Sequence, residues 1–244
     1  MPAQPKIVVA QADRPHFHEV ATLLRGDVER ISGWSAYIDI RRFTLQVCVI
    51  IAGAGCYGAA MGWWRDPKQA LFTAIKFPLI ILLTTIGNGL INGMLAPLLG
   101  LNIPFRQSFA AILMSFTVSA AILGAFSPII AFFVWTTPSI SSTSSTGPIY
   151  NLMLSAHVLV IALAGTTGNA RLFQLLLKLS TGRQVAGQVL VAWLAGNLFL
   201  GSQLSWILRP FVGSPNLPVE FLRANAFHGN FYEAVWFAIT HILH

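Results

Sequence analysis

Between Asp66 and Glu220 the chain carries no acidic residue, and in that interval and just ahead of it lie five long, mostly apolar runs. A helix needs about 20 mostly apolar residues to cross the hydrocarbon of a bilayer. The runs fall at about 43–64, 77–99, 107–135, 149–168 and 185–208. The expected class is therefore all-α: a polytopic membrane helix bundle of about five transmembrane helices.

Composition agrees, with 55% apolar and only 9% charged residues, where soluble domains carry about a quarter charged. A net charge of +7 would suggest nucleic acid if it formed a patch. These cations lie singly between apolar runs instead, so no nucleic-acid partner is expected. Cys48 and Cys56 are separated by about 12 Å along one helix, beyond disulfide reach.

Three regions follow. Residues 1–42 are polar, with too late an apolar run for a signal peptide, and "HEVATLLRGDVERI" spaces Val20, Leu23, Leu24, Val28 and Ile31 as one short amphipathic helix at the interface. Residues 43–208 hold the five spans, and the segment "PKQALFTAIKF" leading into span two has an interfacial, amphipathic pattern, with Lys76 snorkelling outward. Ser127-Pro128 is a candidate kink in the third. Residues 209–244 form a proline-rich turn region and another interfacial helix, with Phe231, Ala234, Val235, Ala238, Ile239 and Ile242 on one face.

Basic residues in short loops favour the cytoplasmic side. A cytoplasmic amino terminus places ten Lys and Arg inside and five outside, which predicts a multi-pass protein of the cell membrane with its amino terminus in the cytoplasm. Trp63, Trp64, Trp135, Tyr150 and Trp206 all fall at the opposite ends of the spans, as an aromatic belt would.

Span two breaks helix-forming rules with "LLTTIGNGLINGM". Thr84, Asn88 and Asn92 share one stripe, and Thr85, Gly89 and Gly93 the next. Gly89 and Gly93 form a small-xxx-small pair that admits another helix backbone, across which the amides can bond. Ala54, Gly58 and Gly62 repeat the pattern in the first span, Gly165, Gly168 and Asn169 in the fourth, and Ala192, Gly196, Asn197, Gly201 and Ser205 in the fifth. The expectation is a central seam where the second, fourth and fifth spans meet. Its amides serve either as glue between helices or as a polar path for a small neutral solute.

Chemistry is sparse. No span contains Asp or Glu, and His157 is the only histidine in one. A single histidine cannot hold a haem between two ligands, so it reads as a hydrogen-bonded packing residue. His16 with His18, and His241 with His244, fall short of a zinc site and read as solvated. No phosphate-binding loop, nucleophile elbow or H-E-x-x-H helix occurs. No enzyme activity, metal or cofactor is expected. At the end of the fifth span, Gln203, Trp206 and Arg209 form a polar cluster in which Arg209 is the candidate contact for a lipid headgroup.

The stretch "KFPLIILLTTIGNGLINGMLAPLLGLNIPFRQ" carries a resemblance. Lys76 and Pro78 open an apolar helix, Leu99-Gly100 closes it, and Phe105-Arg106-Gln107 opens the next. This pattern, with the five-span count over about residues 40–208, resembles bacterial Yip1-like membrane proteins. The aspartate- and tyrosine-containing motifs of the eukaryotic relatives, which act with small GTPases, are not visible. The resemblance implies a non-catalytic membrane protein that packs with other membrane proteins or with itself, or organises lipid. The alternative is a channel or carrier for a small neutral solute along Asn88, Asn92, Asn169 and Asn197.

Overall fold

The computed structural model describes residues 17–35, 39–138, 147–213 and 218–242. They are all-α, with eight helices and no strand among the described residues: α1 (Phe17–Arg25), α2 (Val28–Ser35), α3 (Ile40–Trp63), α4 (Pro67–Leu98), α5 (Phe105–Thr136), α6 (Gly147–Leu179), α7 (Arg183–Leu208) and α8 (Phe231–Ile242). Helices α3 to α7 are long and apolar enough to cross a membrane.

Local chemistry sets the helix ends. Asp39 caps α3 by accepting from the Arg41 N–H at 3.0 Å, and Asp66 caps α4 by accepting from the Lys68 N–H at 2.7 Å. Pro67 follows at the first helical position, where its fixed φ suits the helix. That cap explains why α4 begins at Pro67 and not near residue 77: the expected interfacial approach is the first part of one continuous helix. At its other end Gly100 adopts φ 86°, the Leu101 N–H bonds Ala96 O at 2.9 Å and the Gly100 N–H bonds Pro97 O at 3.1 Å. This paired closure needs a left-handed residue, and glycine takes it without a Cβ clash.

Helix α6 runs on to Leu179, so the expected loop 169–184 shrinks to 180–182. Leu172, Leu175 and Leu176 keep helical spacing and are buried there. What covers them is the amino-terminal region. Its expected single helix is two, broken at Gly26 (φ 72°), and Leu23 and Ile31 are buried with Leu172, Leu175, Ala111 and Met114. Glu19 pairs with Arg42 at 3.5 Å and Glu29 with Lys178 at 2.7 Å. Residues 17–35 thus pack onto this end of the bundle through Leu23 and Ile31.

Helix α5 passes through Pro128 without ending. Proline leaves the carbonyl four residues earlier without its helix donor, and the Ser127 hydroxyl donates to that carbonyl, Gly124 O, at 2.7 Å. At 32 residues, α4 and α5 are each about 48 Å long and exceed the roughly 30 Å hydrocarbon layer.

The packing order is set by α3, which lies against both α4 and α5, while α7 packs on α4 and α6 on α5. The closest contacts are backbone on backbone. A Cβ on Gly53 would overlap the Ala120 carbonyl of α5, and one on Gly124 would fall 2.8 Å from the Gly53 Cα. On the other side, Gly58 and Gly62 hold the α4 carbonyls of Thr73 and Gln69 at 2.5 and 2.6 Å from where a Cβ would be. By contrast, α6 and α7 meet only lightly.

The same substitution at two glycines should therefore act with opposite sign. Gly53→Ala forces α3 off α5 and should cost about 1–3 kcal/mol. At Gly187 nothing lies within 4 Å of a Cβ, and Gly187→Ala should stabilise by about 0.5–1 kcal/mol. Thermal unfolding in one detergent reads both; equal effects would contradict the packing.

Candidate functional site

The amides of α4 and α7 form a buried ladder. Asn92 Nδ2 donates to Asn88 Oδ1, and Asn88 Nδ2 donates to Asn197 Oδ1 and, at 3.3 Å, to the Trp193 carbonyl. Asn88 and Asn92 are fully buried. Helical spacing stacks these two on one face of α4, and Gly196 lets α7 close over them, since a Cβ there would strike Asn88 Oδ1. Bonded to one another and sealed by a backbone, this pair gives the solute-path reading no support.

The other seam residues have different partners from those expected. At Gly89 and Gly93 the nearest neighbour is not helix backbone: each receives a phenyl ring of α5, Phe109 at Gly89 and Phe105 at Gly93. Side chains of that length reach α4 from a helix held further away than a glycine–glycine contact would allow. Gly201 has only the Thr84 hydroxyl near it, at an ordinary 3.8 Å. Gly168 is in close contact, but with Ser115 and Ser119 of α5.

The fourth span therefore does not join the seam, because α6 packs on α5 and not along α4. Gly165 has nothing within 4 Å of a Cβ, and the Asn169 amide turns back to donate to Gly165 O at 2.8 Å within its own helix. The real backbone contact of α3 with α5, at Gly53 and Gly124, lies outside the expected seam. Gly53 has no glycine or alanine three or four residues away, and although Ala120 and Gly124 are spaced as a small pair, only the fold shows that they meet Gly53.

Lys76 is also placed differently. It is fully buried, and its Nζ donates to the Pro210 carbonyl at 3.2 Å and lies 5.2 Å from the Phe221 ring centre. Gln69 and Thr73 share its face and donate to the carbonyls of Pro210 and Phe211 at 2.8–2.9 Å. The chain leaving α7 folds across α4, and this polar clasp takes up the ammonium in place of a water-facing position.

Arg209 stacks its guanidinium 3.4 Å from the Trp206 ring centre and donates to the Trp206 carbonyl at 2.8 Å. Of the aromatic belt, Trp63 and Trp135 are exposed. Trp64 stacks on Tyr150 at 5.9 Å, and Tyr150 donates to Gly213 O. Helix α8 docks on α7, with Tyr232 stacked on Phe199 and bonded to the Ser202 hydroxyl at 2.9 Å. The side chains of Ala238, Ile239, Ile242 and His241, and residues His16 and His244, lie outside the described residues.

Where α6 and α7 part, a cavity of about 490 Å³ opens between them, floored by α4 and α5. Its wall is mostly Leu, Ile, Val and Phe, with Ser115, Ser119, His157, Asn169, Asn197 and Ser205 as polar members. His157 is buried and hydrogen-bonded as expected, through Nδ1 to the Tyr57 hydroxyl at 3.0 Å. Sequence reasoning missed the cavity because it depends on two helices diverging, which no spacing records. No group of three or more His, Cys, Asp or Glu side chains assembles among the described residues.

Together, five apolar helices and their amide-bonded interior define a multi-pass integral membrane protein of the all-α class. No protein-family model, curated protein or solved structure matches the chain.

Replacing Asn88 by leucine removes the ladder's central member and leaves the Asn92 and Asn197 amides without it. With membrane amide bonds contributing about 0.6 kcal/mol each and unpaired groups more, Asn88→Leu should cost roughly 1–3 kcal/mol. Asn169→Leu, which touches no other helix through its amide, should cost less than half as much. Unfolding in detergent measures both, and equal losses would contradict the ladder.

Proposed function

We propose that this chain is a non-catalytic structural or accessory subunit of the cell membrane, with its amino terminus in the cytoplasm, that packs through α6 with another integral membrane protein or with a second copy. The observation that carries this reading is the outer face of α6. Ser155, Leu159, Ala162, Thr166 and Ala170 recur at helical spacing and are exposed. Small side chains on a lipid-facing helix leave shallow grooves that acyl chains fill poorly and a second helix fills well. Most glycines of α3, α4 and α5 are already occupied by internal contacts, so this face is what the fold leaves for association.

The Yip1-like resemblance supports the same reading. Its Leu99-Gly100 and Phe105-Arg106-Gln107 positions sit at the turn closing α4 and the start of α5. The excess of Lys and Arg on the amino-terminal side supports the orientation.

The test is the mass of the purified particle in mild detergent by light scattering. A defined species larger than one chain is expected, and Thr166→Trp should weaken it about tenfold, or about 1.4 kcal/mol. A wild-type protein that stays a single chain, or an assembly indifferent to Thr166→Trp, would overturn the reading.

A further inference from the structure

The cavity between α6 and α7 is more than a packing defect. Four of its wall residues, Leu154, Val158, Ile161 and Leu198, are exposed, and the cavity is open rather than enclosed. In a bundle that spans a bilayer, an opening between α6 and α7 faces the region that lipid occupies. Its volume of about 490 Å³ falls within the range of about 300–1,000 Å³ typical of ligand sites.

Its polar groups are few and specific. His157 is buried, and its Nε2 has no hydrogen-bond partner. The Tyr57 hydroxyl is fully buried and bonds His157 Nδ1. A buried hydroxyl is satisfied when it donates to an acceptor, so with Tyr57 donating to Nδ1 the ring N–H is on Nε2. His157, a residue of the cavity wall, is thereby left with an unused donor. Asn169 Oδ1 is the matching unused acceptor. The two lie about 18 Å apart along α6, with aliphatic side chains between them. No carboxylate, ammonium or guanidinium belongs to the wall, so an anionic or cationic headgroup would enter without a counter-charge, at high cost in this setting.

We propose that this cavity binds a neutral lipid with one long apolar chain and an oxygen-bearing head, the head accepting from His157 Nε2–H and the chain lying along α6 toward Asn169. The association face is the neighbouring stripe of α6, and none of its five residues lines the cavity. Occupancy stands or falls separately from subunit assembly.

The experiment is photolabelling of the full chain in phosphatidylcholine vesicles with a long-chain fatty alcohol carrying a diazirine in its chain. A diazirine alkane of equal length serves as the comparison. The alcohol should label α6 and α7 at cavity-lining residues, saturably, and in excess of the alkane. Gly165 lines the cavity and has nothing within 4 Å of a Cβ, so Gly165→Leu adds its bulk at the cavity wall and should cut labelling about fivefold. Gly187→Leu, on a glycine outside the cavity wall, should leave labelling unchanged. His157→Phe should bring the alcohol down to the level of the alkane. Labelling spread evenly over the lipid-facing helices, or unaffected by Gly165→Leu, would overturn the proposal, as would equal labelling by alcohol and alkane in the unaltered protein.

Discussion

The contact of α3 with its two neighbours, made by glycine and carbonyl and not by interlocking side chains, is the constraint from which the remaining packing follows. In lipid no hydrophobic effect pushes helices together, and association rests on dispersion and hydrogen bonds at close range. Gly53 against Ala120 and Gly124, with Gly58 and Gly62 against Thr73 and Gln69, brings three backbones within that range at once. Once α3, α4 and α5 are fixed, α7 has one face of α4 to close over and α6 one face of α5. Their separate attachments leave the gap between them.

The polar groups obey the same economy of partners. A membrane interior offers no water, so each amide or ammonium within it must find a partner in the chain. Asn88 finds Asn197 and the Trp193 carbonyl, Lys76 finds the Pro210 carbonyl, and Ser127 restores a donor to the carbonyl that Pro128 leaves open. Some buried polar atoms keep no partner, Asn92 Oδ1 and Gln69 Oε1 among them, and two of these, His157 Nε2 and Asn169 Oδ1, belong to residues that line a large space open toward lipid.

Much of the architecture is legible in the sequence. Uninterrupted apolar runs can only be helices in hydrocarbon, which is why five spans and the all-α class are readable. The Asn88 and Asn92 stripe and its match to Asn197 are readable because helical spacing stacks residues four apart. What is not readable involves relations between segments. The placement of Gly165 and Asn169 in the seam fails because a Gly-Asn pair says nothing about which helix it faces. A glycine stripe has the same spacing whether a helix or a phenyl ring fills it, so Gly89 and Gly93 suggest a backbone partner that the fold does not supply. Lys76 has the pattern of a snorkelling residue, since only the chain returning after α7 supplies the carbonyls that bury it. The extension of α6 to Leu179 is hidden by Arg171 and Lys178, which resemble loop residues until Glu29 and the amino-terminal helices are placed beside them.

Paired-cysteine cross-linking in native membranes tests the arrangement most directly, after Cys48 and Cys56 are replaced by alanine. Gly87 faces Leu200 of α7, whose side chain would lie 2.9 Å from a Cβ there, whereas Gly165 on α6 lies across the cavity. Gly87→Cys with Leu200→Cys should form a disulfide readily, and Gly87→Cys with Gly165→Cys should not. Efficient cross-linking of the latter pair would place α6 against α4 and contradict the account.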